Sequence, residues 1–137
     1  MVPESLAYAL TQVLHNFGAV SVVGGAAFVL WVPALPPGRE KRLAWLVGLG
    51  WAVQIASGAG FGAVSHYYYG RFPEIAGVAV AALAIKITCA IAGLALALLL
   101  QSRGERWNET QIRRSWRSLA VLGAAALAAA AFLRWFS

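Results

Sequence analysis

The sequence predicts an all-α integral membrane protein: a bundle of four transmembrane helices, both termini outside, with short basic loops in the cytoplasm. Three observations carry this expectation. The 137 residues are 61% hydrophobic and only 12% charged, against roughly a quarter charged in a soluble domain. Four apolar runs each reach the length of about 20 residues that a helix needs to cross a bilayer. The cations cluster in the short connections between those runs, which is where membrane proteins place Lys and Arg.

The first run extends from Leu6 to Trp31 and meets Pro33, Pro36 and Pro37. The second covers Leu43 to Ser65, the third Ile75 to Leu100, and the fourth, alanine-rich, Ser118 to Phe136. These spans form one domain over residues 1–137. None alternates polar and apolar residues as a barrel strand does, so helices are the spanning form. Asn108-Glu109-Thr110 is expected to start a short interfacial helix ahead of the fourth span. A cleaved signal peptide is not expected, because the first segment lacks a basic lead and carries polar residues within its run.

Orientation follows from the loops. The first connection holds Arg39, Lys41 and Arg42, and the third holds Arg103, Arg106, Arg113, Arg114 and Arg117. The second holds Arg71 alone. The positive-inside rule therefore places the first and third connections in the cytoplasm. A net charge of +6 does not indicate nucleic-acid binding, since no basic stripe interleaves with aromatics. Trp31, Trp45, Trp107, Trp116 and Trp135, with Tyr67, Tyr68 and Tyr69, fall near span boundaries, as an aromatic belt requires. Gly58 and Gly62 form a GxxxG, and Gly48, Gly50, Gly60 and Gly93 are further points where helix backbones can approach.

Function is sought where the apolar rule is broken. Tyr8, Gln12, His15 and Asn16 fall on one face of the first helix. Gln54 and Ser57 interrupt the second, and Lys86, with Thr88 and Cys89, interrupts the third. A charge at mid-bilayer costs about 2.5–3.5 kcal/mol on insertion scales, so it faces the bundle interior and finds a partner. At 1.5 Å per residue, His15 and Lys86 both lie about 15 Å from the outer end. Gln12, His15, Gln54 and Lys86 are therefore expected to converge in one interior site open to the outer face. His66 sits at the outer mouth. The structural alternatives are a hydrogen-bonded core histidine at His15, a snorkelling Lys86 and a solvated His66. The chain has no Asp, and its Glu residues sit near ends or in loops. An anionic ligand is then the economical partner for Lys86.

These residues carry a resemblance spanning most of the chain. His15-Asn16-Phe17-Gly18-Ala19-Val20 leading to Gly24-Gly25 resembles the first helix of the copper resistance protein D (CopD)-like membrane module. Lys41-Arg42-Leu43 opening a helix that ends Gly58-Ala59-Gly60 is similar, as is Ile85-Lys86-Ile87 in a Leu/Ala-rich third helix. The plan of a first-helix His and a third-helix Lys also resembles the HemJ-type protoporphyrinogen oxidases. The resemblance implies a haem b-binding redox protein of a bacterial inner membrane, with His15 as a haem or copper ligand and Lys86 as its functional partner; on the reading of the residues His66 is the candidate second metal ligand. Gln12, Gln54 and Lys86 would join the cofactor site, and Lys86 would be the catalytic residue if the chain is an oxidase passing electrons to a quinone or another redox membrane protein. Copper handling through His15, His66 and Cys89 is the alternative. Copper(I) favours soft sulfur ligands, and Cys89 and Met1 are the only sulfur-bearing residues. A further alternative is an oligomer or an accessory subunit of a larger membrane complex, in which a partner's carboxylate would meet Lys86.

Overall fold

The computed structural model describes residues 3–32, 34–36 and 38–136. Four long helices account for nearly all of them: α1 (Pro3–Trp31), α2 (Arg39–Tyr69), α3 (Val78–Arg103) and α4 (Glu109–Phe136), with a 3-10 turn at Gly104–Arg106 between the last two. Each is long and apolar enough to cross a membrane. Pro33 and Pro37, read from the sequence as stops for the first helix, lie outside the described residues.

The helices outrun the apolar spans. At 1.5 Å per residue they measure about 39–46 Å, against a hydrocarbon core of about 30 Å. Hydropathy marks the dry segment, whereas backbone hydrogen bonding continues until something stops it. In α2 the basic turn at Arg39–Arg42 and the tyrosines at 67–69 are therefore helical. The stop is Gly70, in the left-handed region at φ 67°, whose N–H donates to His66 O. Glycine tolerates that conformation without the Cβ clash other residues incur. At the third helix the boundary moves the other way: regular structure begins at Val78, after Gly77 at φ 54°.

The fourth helix departs most from the sequence reading. No separate interfacial helix precedes it; Glu109–Phe136 is continuous. Asn108 Oδ1 accepts the Gln111 N–H at 2.8 Å, and Gln111 Oε1 accepts the Asn108 N–H at 3.0 Å. This reciprocal cap satisfies donors that a helix start leaves open. From Glu109 to Leu122 the chain has no Pro or Gly to break the run.

Consecutive helices pack as neighbours, and α4 returns to α1, closing an up-down-up-down ring. One end carries Arg39, Lys41, Arg42 and five arginines of the third connection; the opposite end carries the tyrosines, His66 and Arg71. We call these the basic and tyrosine ends. At the basic end Lys41 pairs with Glu105 at 2.8 Å, and Trp116 Nε1 donates to Glu40 at 2.7 Å. At the tyrosine end the Tyr69 hydroxyl donates to Glu4.

The core comprises Val22, Ala26, Ala44, Val47, Trp51, Cys89, Ala90, Ala97, Leu100, Trp116 and Leu119. Its large members fit because glycines face them. A Cβ on Gly93 would lie 2.2 Å from the Trp51 ring, and one on Gly25 would lie 2.6 Å from Val47. Gly18 and Gly50 set the α1–α2 approach, each Cβ position lying 3.1 Å from the other's carbonyl oxygen. The GxxxG pair does not serve this purpose. Nothing lies within 4 Å of a Cβ on Gly58, and Gly62 meets only Phe72. Phe17, Val20, Ile91 and Val121 are more than half exposed, an apolar exterior suited to lipid. The protein is a multi-pass, all-α membrane bundle.

Candidate functional site

His15 on α1, Ser57 and Gln54 on α2, and Lys86 on α3 meet about one helical turn from the core, on its tyrosine side. Gln54 reaches α1 because Gly18 lacks a side chain: a Cβ there would lie 2.9 Å from Gln54 Nε2. The amide donates to His15 O at 2.5 Å, bracing α1 against α2. The Ser57 hydroxyl donates to Val53 O, also at 2.5 Å, the back-bond a helical serine commonly makes. With its proton so used, Ser57 Oγ accepts from His15 Nδ1–H at 2.7 Å. His15 Nε2 then keeps its lone pair and accepts from the Lys86 ammonium at 3.1 Å. One tautomer satisfies the whole chain of bonds.

The charge state follows from the distance. Two unit charges 3.1 Å apart repel by about 5 kcal/mol even at an effective dielectric near 20. The pair therefore carries at most one positive charge, and when it carries one the proton sits on the amine, the stronger base of the two. Phe61 packs its ring edge against His15, centroids 5.7 Å apart at 71°, and Tyr8 stacks on Phe61 in turn. The five glutamates are all remote in the fold: Glu4, Glu40, Glu74 and Glu105 bond Tyr69, Trp116, Arg71 and Lys41, and Glu109 opens α4. Among the described residues Lys86 has no carboxylate partner. Both His15 and Lys86 are half-buried, so the centre is reachable from the side of the bundle.

Of the residues expected to converge, the structure brings together His15, Gln54 and Lys86. Gln12 is placed elsewhere: it is exposed and donates to Asn16 Oδ1 at 2.7 Å. The four polar residues of α1 cover an arc of about 100°, wide enough to straddle the bundle boundary. Tyr8 and His15 fall inside it, and Gln12 and Asn16 outside. His66 is also apart, exposed and stacked on Phe72 with centroids 5.0 Å apart. It follows Ser57 by nine residues, about 13 Å along α2. Cys89 is buried in the apolar core. Among the described residues no three of His, Cys, Asp and Glu come together around a common point. The one partner not singled out as a site residue is Ser57; its i, i+3 spacing from Gln54 was the available signal.

Two cavities lie away from this centre. One of about 220 Å³ at the tyrosine end is lined by Ser65, Tyr69, Arg71, Phe72, Pro73 and Glu74. The other, about 340 Å³, lies at the basic end beside Glu40, Glu109, Arg113 and Trp116. No family model, curated protein or solved structure matches the chain.

Proposed function

We propose that the His15–Lys86 pair is a membrane-embedded site for a carboxylate-bearing ligand, and that this ligand is haem b, making the chain a small membrane redox protein of the CopD/HemJ-like type. The observation that carries this reading is the Lys86 amino group, held in a membrane span 3.1 Å from an imidazole nitrogen and, among the described residues, without a carboxylate partner. An intramembrane cation of this kind marks a functional site by default, and a ligand's acid group supplies the missing countercharge.

The residues fit a haem in part. His15 is oriented as a ligating imidazole needs, with Nδ1–H fixed on an oxygen acceptor, the arrangement that sets the tautomer and basicity of metal-bound histidine. Lys86 suits a propionate, and when it turns to that carboxylate it frees His15 Nε2. With His66 about 13 Å away along α2, His15 is the one histidine of the chain that would hold the iron. Haem, when bound, supplies one-electron redox chemistry, its potential set by axial ligand and burial. Ser57 would hold the ring, Gln54 would hold its helix, and Phe61 would cover one edge. Copper handling gains less support, because His15, His66 and Cys89 are separated. In this reading the basic end is cytoplasmic and both termini lie outside, in keeping with the concentration of cations at that end.

The test is a dithionite-reduced minus oxidised spectrum of the purified protein, with a pyridine haemochrome assay for stoichiometry. A b-type α-band near one haem per chain, lost in His15→Ala and weakened in Lys86→Met, is the expected result. A folded preparation that stays colourless after haem is supplied, or a band that survives His15→Ala, would overturn the assignment.

A further inference from the structure

We infer that the outward face of α1 carrying Gln12 and Asn16 is a docking surface for a second copy of this chain. Gln12, Asn16, Val20 and Ala27 share an arc of about 80° around α1, and all four are exposed. The face lies opposite Gly18 and Gly25, which pack into the bundle. Asn16 is one residue from the middle of the 29-residue helix. Gln12 is about 6 Å nearer the tyrosine end. Both therefore fall within a hydrocarbon layer whose half-thickness is about 15 Å.

The amides are incompletely satisfied there. Each offers two N–H donors and one carbonyl acceptor. Their mutual bond uses one Gln12 N–H and the Asn16 oxygen. The Gln12 oxygen, its second N–H and both Asn16 N–H groups have no partner among the described residues. Lipid tails cannot supply one, and an unmet polar group in hydrocarbon costs free energy. What remains open is a donor-rich Asn16 beside an acceptor, Gln12 Oε1, so the face is complementary to itself.

A second copy meets this need specifically. Copies in one membrane share a topology, so a twofold axis along the membrane normal brings like residues together at like depth. Asn16 Nδ2 of each copy then donates to the Gln12 or Asn16 oxygen of the other. Buried amides fix register and pairing in this way in coiled coils. The small Ala27 lets the helices approach. This surface is independent of the haem assignment, since neither amide touches His15 or Lys86 through a side-chain bond.

The test uses Val20→Cys in a Cys89→Ala background, reconstituted in lipid and treated with a short thiol crosslinker. Val121→Cys, on the outward face of α4, is the control. Crosslinked dimer at position 20 well above the control is expected. Adding Gln12→Leu and Asn16→Leu, which suit lipid and keep the helix, should weaken association about tenfold, the worth of two interhelical hydrogen bonds of typical membrane strength. Crosslinking at position 20 no greater than at 121 would overturn the proposal. So would a dimer indifferent to the two leucines, and so would a monomeric purified protein, which would reserve the amides for a different protein.

Discussion

Replacing Gly93 with alanine adds a single methyl group at the most confined point of the bundle. That carbon would lie 2.2 Å from Cε2 of Trp51, and 2.6 Å from both Cζ2 and Nε1. Carbon atoms in contact prefer about 3.5–4.0 Å, so the indole or the α3 backbone must retreat by more than about 1 Å. Trp51 is 1% exposed and has no free direction in which to move. Overpacking a tight core costs about 1–3 kcal/mol and occasionally more; the upper end, near 3 kcal/mol, is expected here. The assay is reversible unfolding in mixed micelles by increasing sodium dodecyl sulfate, followed by far-UV circular dichroism. The control is Trp51→Phe, which removes the atoms that collide. By itself it leaves a gap, but it also removes a buried Nε1–H that has no hydrogen-bond partner, so its cost should be about 1 kcal/mol. The double variant should be more stable than the sum of the single effects by at least about 1 kcal/mol, the coupling expected of touching residues. Gly93→Ala within about 0.5 kcal/mol of the parent, or additive behaviour of the pair, would refute the claim that Trp51 fits because Gly93 faces it.

Lys86→Met should leave the ligand-free protein as stable or more stable in the same titration, because it removes an ammonium without a countercharge; a loss of several kcal/mol would mean that a carboxylate partner exists. Ser57→Ala should cost about 0.6–1 kcal/mol, the size of a side-chain hydrogen bond in a membrane protein, and should shift the His15 ring resonances in a nitrogen NMR spectrum. Unchanged resonances would refute the inferred tautomer. Trp116→Phe strips the Glu40 carboxylate of its donor at 2.7 Å and should cost about 1.5–3 kcal/mol. Glu40→Gln in that background should recover part of the loss, and no recovery would show that the cost came from packing alone.

The number of helices and their place in the chain were legible because hydropathy measures what a bilayer selects. Their ends were not, because capping is local stereochemistry. Gly70 stops α2 by its left-handed φ, and Asn108 starts α4 through a bond to Gln111; neither registers as apolar or polar length. The polar centre was legible in part. Depth alone brought His15, Gln54 and Lys86 to one level, since helix rise is fixed. Rotation about the axis was not fixed by the sequence, and Gln12 fell on the far side of the bundle boundary. The GxxxG was misleading for the same reason. Gly58 and Gly62 have the spacing of a contact motif but face away from any helix, whereas Gly93, isolated in sequence, sits against Trp51.

The core residues lie at mid-membrane or on its basic side, from Val22 and Trp51 to Trp116 and Leu119. On the tyrosine side the buried positions are small: Ser57, Ser65, Ala79, Ala82 and Ala129. Free energies of local opening follow packing and can differ widely within one fold. The bundle should therefore behave as an anchored root with a looser crown, in which amides near the tyrosine end exchange with solvent hydrogen first and those around Trp51 exchange last. The His15–Lys86 pair lies at the junction of the two. A ligand of the proposed site would then be admitted by loosening of the crown around a centre that is already half-exposed, while the root stays closed.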